Sequence, residues 1–377
     1  MRARSIAAAV FLIGAIVVPG GGATCAAPAL VTAAVVAPRV DGSGTANAPA
    51  GRLSLPVAGN PGGLPLPAEA LPVDTSHPDQ VIGNGTPASC TSQSVVAAVA
   101  RGGIITFNCG LQPVIILMTD TAKVVNTSPV VVLDGGGKVT LSGGGQRRIL
   151  YMNTCDQAQI WTTSHCQDQE TPQLTIQGLH FMGGNSTGDL VEGGGGGAVF
   201  VRGGRVKVLN SIFTNNQCDP TGPDLGGAAL RVLSQSHGLP VIVATSTFTG
   251  GNCSNGSALS SIGVSWQIYN SVFTGNNAIG SGANPSRPGA PGGGSGGAIY
   301  LDGNLFTLDL AGSIVRDNTA NEGGGAIFFV SNDRTGELRI TDSILENNPS
   351  RGFETAGFPG IFFLGRGAPQ VTNSTIR

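Results

Sequence analysis

The stretch 153–172 carries the densest set of side chains able to bind or react. Within it Asp156, Asp168 and Glu170 supply carboxylates, His165 an imidazole and Trp161 a large flat ring. Acids beside an indole suit a loop that hydrogen-bonds sugar hydroxyls while the ring packs against an apolar face. Cys155 and Cys166 bracket the stretch, so a bridge between them closes it into a finger. The expectation is a binding loop formed by Asp156, Trp161, His165, Asp168 and Glu170. Read as plain architecture, the same loop lays Trp161 on the flank of the fold.

Cleavage of a polysaccharide asks for more. Inverting hydrolysis needs two carboxylates about 6.5–9.5 Å apart, and lyases need Ca²⁺ held by several acids beside a cationic base. No Asp-Asp pair followed by His and Arg-x-Lys occurs. Arg205-Val206-Lys207 places two cations at alternate positions of a strand, which reads as a pair of outward, solvated groups. Asp302, Asp309 and Asp317 are close in sequence, yet they are expected on different sides of one repeat. Asp333 and Glu337 fall in a turn. The histidines, at positions 77, 165, 180 and 237, lack metal-ligand spacing. The glycine runs lack the Gly-Lys-Ser/Thr of a phosphate loop. No metal and no cofactor are expected, and a net charge of −2 leaves no electrostatic footprint for nucleic acid.

The elements that position these residues follow from a repeat. Of 377 residues 60 are Gly and 23 are Pro, and only 11% are charged, which disfavours a helical protein. From about residue 174 one pattern recurs: two apolar residues at alternate positions, then Ser, an apolar anchor and Asn. Val206, Val208, Ser211, Phe213 and Asn216 form one copy; Trp266, Ile268, Ser271, Phe273 and Asn276 another. Leu308, Leu310, Ser313, Val315 and Asn318 follow, then Leu338, Ile340, Ser343, Leu345 and Asn348. The copy at Val241, Val243, Ser246 and Phe248 has its Asn one place late, at Asn252. Leu174, Ile176 and Phe181 open the series, and Val371, Ser374 and Ile376 begin a last copy. Gly-Gly-Ala before an apolar residue alternates with this pattern, at 196–199, 226–229, 296–299 and 324–327.

Period 2 means strands, and the slip before each Ser means a bend. Short strands every 25–42 residues without intervening helices predict stacked repeats sharing one core. The fold class expected is all-β: a single-stranded right-handed parallel β-helix, a solenoid, with an N-terminal capping helix. The helix starts at Thr91 or Ser92 and stops at Gly102-Gly103. The recurring Asn predicts a ladder of side-chain amides. The rival architecture, an antiparallel sandwich, offers no reason for repeats.

Arg2 and Arg4 precede an apolar run from Ile6 to Val18, too short to span a bilayer, so 1–29 reads as a secretory signal peptide. Residues 30–78, rich in Pro, Ala and Gly, read as a disordered linker, and 79–377 as the β-helix. The insertion at 279–295 reads as flexible chain. No membrane span is expected after signal cleavage. The last repeat stops at Ile376-Arg377 before its Asn, so its end is expected to lack a cap and to offer an edge to a partner or a second copy.

Removing Cys25 with the signal leaves an even set of cysteines, which suits disulfides in an exported chain. Cys218 and Cys253 each lie five residues after an anchor, Phe213 and Phe248, so stacking brings them together. Cys90–Cys109 would fasten the helix to the first repeat, and Cys155–Cys166 would close the finger.

The alternation of Gly197-Ala198-Val199 with Phe213-Thr214-Asn215-Asn216, and of Gly297-Ala298-Ile299 with Phe273-Thr274-Gly275-Asn276, resembles the repeats of chlamydial polymorphic outer-membrane proteins. More broadly the chain resembles the pectin-lyase-like superfamily of right-handed β-helices. The resemblance covers about 174–377 and implies a surface-exposed adhesin. With 17 Arg against 3 Lys, the composition is that of a bacterial genome of high GC content. The functional expectation is an exported bacterial binding or adhesion module without catalysis, secreted or at the cell surface, whose partner is an extracellular glycan or a host or cell-surface protein. The alternative is a carbohydrate-active enzyme, a polysaccharide lyase or glycoside hydrolase.

Overall fold

A computed structural model describes residues 56–160, 163–190 and 194–377. The signal-peptide segment, the linker before residue 56 and Trp161 lie outside the described residues. The described strands form three sheets, of 17, 8 and 3 strands, and one α-helix accompanies them. Neighbouring strands pair in parallel, repeat on repeat. The all-β expectation and the parallel stacking both hold.

Identical positions of successive repeats meet in register. In the large sheet Phe181, Phe213, Phe248, Phe273, Val315, Leu345 and Ile376 follow one another as paired residues. In the second sheet the row runs Leu150, Val199, Leu230, Leu259, Ile299, Ile327, Ile361. Alternation turns these residues inward, where they share one continuous core. The four phenylalanines stack with ring centroids 4.8–5.0 Å apart, the spacing of the strands themselves.

The bend inside each repeat has a local cause. The residue before each Ser has positive φ: Asn210 (49°), Thr245 (48°), Asn270 (49°), Gly312 (59°), Asp342 (47°) and Asn373 (47°). This left-handed residue turns the chain and interrupts the backbone ladder. The Ser hydroxyls restore it. Ser246, Ser271, Ser313, Ser343 and Ser374 each accept the backbone N–H of the Ser one repeat earlier, at 3.0–3.2 Å. From Ser211 to Ser374 each hydroxyl donates to the carbonyl two residues before it.

The asparagine ladder is shorter than expected. Asn276 donates to Asn318 and Asn318 to Asn348, each at 2.9 Å. Gly251 occupies the equivalent place one repeat earlier, because a Cβ there would lie 2.1 Å from the Ser257 carbonyl. Asn252 therefore falls on the neighbouring row, where Asn277 donates to it.

The helix, α1, spans Ser92–Arg101 and is capped by Thr91, whose side chain accepts the Ser94 N–H. Its Val95, Ala98 and Val99 enter the core of the stack. Cys90–Cys109, Cys155–Cys166 and Cys218–Cys253 are all bonded. The last pair joins adjacent repeats with Cα atoms 4.8 Å apart, as the register requires. No described helix is long and apolar enough to cross a membrane.

The stretch 56–78, expected to be disordered, is instead a strap along the large sheet. Asn270 holds Leu64 through both main-chain atoms, at 2.8 and 2.7 Å, and Gln177 holds Val73 in the same way. Ala70 is buried against Leu209, Ile242 and Ala244. Composition misleads here because the partners are backbone groups, which any sequence carries.

Candidate functional site

Among the described residues the strongest convergence of polar side chains lies on the outer side of the second sheet. In the strand Ile299–Gly303, Ile299 and Leu301 face the core, so Tyr300 and Asp302 emerge on the opposite face. Tyr300 is nevertheless buried, because loops cover this face and Phe328 stacks on its ring at 4.9 Å. Burial, with Asp302 beside it, pushes the Tyr300 phenol well above its ordinary range.

Asp302 is gripped from both sides. Its Oδ1 accepts the Gly303 N–H at 2.7 Å and the Asn332 amide at 3.0 Å. Its Oδ2 accepts the Asn284 amide at 2.8 Å and the Tyr300 hydroxyl at 3.2 Å. Burial nonetheless raises the Asp302 carboxyl above the usual range, against the pull of these donors, and Asp224 adds to the rise. The Asn284 amide nitrogen also donates to Asp224 at 2.7 Å and lies 2.6 Å from the Tyr300 oxygen. Asp224, Asn284, Asp302 and Asn332, with Ile262 and Pro285, line a cleft of about 410 Å³. Behind it, on the same row of the sheet, stands Arg231, paired with Ser260, which in turn pairs with Tyr300. Its guanidinium donates to Ser260 Oγ, and full burial pushes it down to about 10.

Asn284 arrives on the 279–295 insertion, which is held in place. Ser281 and Ala283 bridge to Gly292 and Gly293 in antiparallel fashion. Arg287 grips the Glu322 carboxylate with two bonds, at 3.0 and 2.7 Å, and the Gly282 N–H adds a third at 2.9 Å. Gly293 must be glycine: its φ is 93°, and a Cβ would lie 1.9 Å from Ser254 Oγ.

Glu322 makes this anchorage depend on pH. Burial raises its carboxyl, but the bonds from Arg287 and Gly282 outweigh burial and hold it below its ordinary value. A depressed folded-state value means stabilisation that is present above about pH 4.3, the unfolded value, and lost as pH falls through the lower folded value. Protection against amide exchange across 281–293, measured relative to the intrinsic rate at each pH, is therefore expected to fall selectively below about pH 4, and in Glu322→Gln to be low already at pH 7. Hydrogen–deuterium exchange read by mass spectrometry checks both.

The described residues of the predicted binding loop do not converge. Asp156 caps a short 3₁₀ turn and accepts the Tyr151 hydroxyl at 3.2 Å, facing a separate hollow of about 220 Å³ with Lys123, Arg148 and Asp189. Asp168 lies on the far limb of the finger, where the His237 N–H donates to it. His165 and Glu170 are exposed. Asp309 pairs with Arg339 and Asp317 accepts from Asn347, both away from Asp302, as their phase predicted.

The cleft itself escaped the sequence reading. Its one visible signal was the long 42-residue spacing between anchors Phe273 and Val315, which marks the insertion that delivers Asn284. Comparison with protein-family models, curated proteins and solved structures gave no match.

Proposed function

We propose that this chain is an exported binding module, a single-stranded right-handed parallel β-helix whose cleft at Asp224 and Asp302 holds a hydroxyl-rich ligand, an extracellular glycan. Stacked parallel pairing repeat after repeat supports the β-helix, and parallel crossovers are right-handed in about 98% of cases. The resemblance to polymorphic outer-membrane protein repeats and to the pectin-lyase-like superfamily stands on the repeated motifs. Three disulfides are compatible with an oxidising, extracellular setting.

One observation carries the ligand class. Two carboxylates and two carboxamides, none of them in an ion pair among the described residues, converge on one open cleft, with the buried Tyr300 hydroxyl bonded to Asp302 behind them. Carboxylates accept from sugar hydroxyls and carboxamides both donate and accept, so the set matches a polyol. Glycan-array screening followed by calorimetry tests it. Asp302→Asn and Asp224→Asn are each expected to weaken the captured glycan at least about tenfold, the loss of one charged hydrogen bond. Wild-type affinity in both variants, or no glycan captured, refutes the reading.

A glycoside hydrolase is favoured by a different observation. One amide nitrogen touches both carboxylates, which keeps their facing oxygens within about 5.5 Å, the separation of retaining enzymes. Burial of Asp302 favours the proton a general acid needs. Binding is preferred because the Asn284 amide fills the gap that a glycosidic oxygen would need. Release of reducing ends by the wild type, abolished in Asp302→Asn, would reverse that preference.

A further inference from the structure

A second hollow lies on the large sheet, away from the cleft. The strand Arg205–Leu209 buries Val206 and Val208, so Arg205 and Lys207 emerge on the outer face. Register sets Gln173 beside Arg205, and Thr175 and Ile242 on either side of Lys207. Glu69 of the strap closes the hollow, whose volume is about 210 Å³.

The two cations are poorly satisfied. Arg205 Nη2 reaches the Pro240 carbonyl at 3.3 Å, while its Nε is buried without a hydrogen-bond partner. Among the described residues Lys207 Nζ reaches only the Glu69 carbonyl, at 3.4 Å. Neither side chain forms an ion pair among the described residues. Among the described residues Glu69 is the one acid lining the hollow, and its side chain is exposed. Burial lowers both cations, and Arg205 lowers Lys207 further. Two like charges held side by side and partly out of water are costly unless an opposite charge joins them.

We propose that Arg205 and Lys207, with Gln173 and Thr175, form a binding site for a divalent oxyanion, sulfate or phosphate. Charge selects the class: a dianion balances both cations, whereas a carboxylate leaves one uncompensated. Chemistry agrees, since guanidinium and ammonium together offer donors to several oxygens of one tetrahedral group. The site stands on a different sheet from the Asp224–Asp302 cleft and does not depend on that reading.

The test titrates the full chain with sodium sulfate, sodium phosphate and, at equal ionic strength, sodium chloride, by calorimetry and thermal melting. Sulfate or phosphate is expected to bind saturably and to raise the melting temperature where chloride does not. Lys207→Gln is expected to weaken that binding at least tenfold with an unchanged circular dichroism spectrum, and Lys207→Arg to retain it. Asp302→Asn should leave it intact. A melting curve that responds to the three salts alike, or a Lys207→Gln protein that binds as the wild type does, overturns the proposal. A sulfated polysaccharide that binds more than tenfold tighter than free sulfate, through Lys207, assigns the oxyanion to a sulfate ester; no such gain assigns it to the free ion.

Discussion

Phe248→Ala is expected to cost about 3–5 kcal/mol of folding free energy, the range for deleting a buried aromatic side chain. Phe248 is completely buried and stacks between Phe213 and Phe273, at 4.8 and 4.9 Å. Its removal strips both neighbours of a ring contact and leaves a cavity that paired strands on either side prevent from collapsing. Position adds to the effect. In a stack each repeat is held mainly by its neighbours, so a gap in the middle weakens coupling between the two halves. Denaturant unfolding should show a lower midpoint and a broader transition, and Phe248→Leu should recover a large part of the loss. An unfolding free energy within about 0.5 kcal/mol of the wild type, the scale of an ordinary surface substitution, would contradict this packing.

Asn318→Leu is expected to be comparably severe, by another mechanism. The Asn318 amide donates to Asn348 Oδ1 and to the Phe273 and Arg316 carbonyls. Its oxygen accepts both the backbone and the side-chain N–H of Asn276. Leucine matches the volume and removes every one of these bonds. Several buried groups are left without partners, each costing about 1–3 kcal/mol, so a total of at least about 3 kcal/mol follows. The readout that separates this from a packing defect is local: exchange of the Asn276 amide should accelerate even where global stability is restored by osmolyte. Unchanged protection at Asn276 would mean the ladder adds little.

Much of the architecture is legible in the sequence alone. The anchors Phe181, Phe213, Phe248, Phe273, Val315, Leu345 and Ile376, picked by pattern, are paired residues in the large sheet. The Cys218–Cys253 bond follows from the same phase. The strap was missed because Pro, Ala and Gly have no periodicity, and its attachment runs through Asn270 and Gln177 of distant repeats. The insertion read as flexible because its stiffness comes from Glu322, contributed by the next repeat.

The sequence by itself determined which residues repeat and therefore which must meet. Stacking identical units forces equivalent positions into contact, so spacing along the chain translates directly into register across it. Only the tertiary structure decided which non-repeating residues meet. Asp224, Asn284, Asp302 and Asn332 come from loops and strand ends of unequal length, where no period relates one position to the next. Their convergence depends on backbone paths set by single contacts, such as Arg287 with Glu322, and such contacts leave no periodic trace in a sequence.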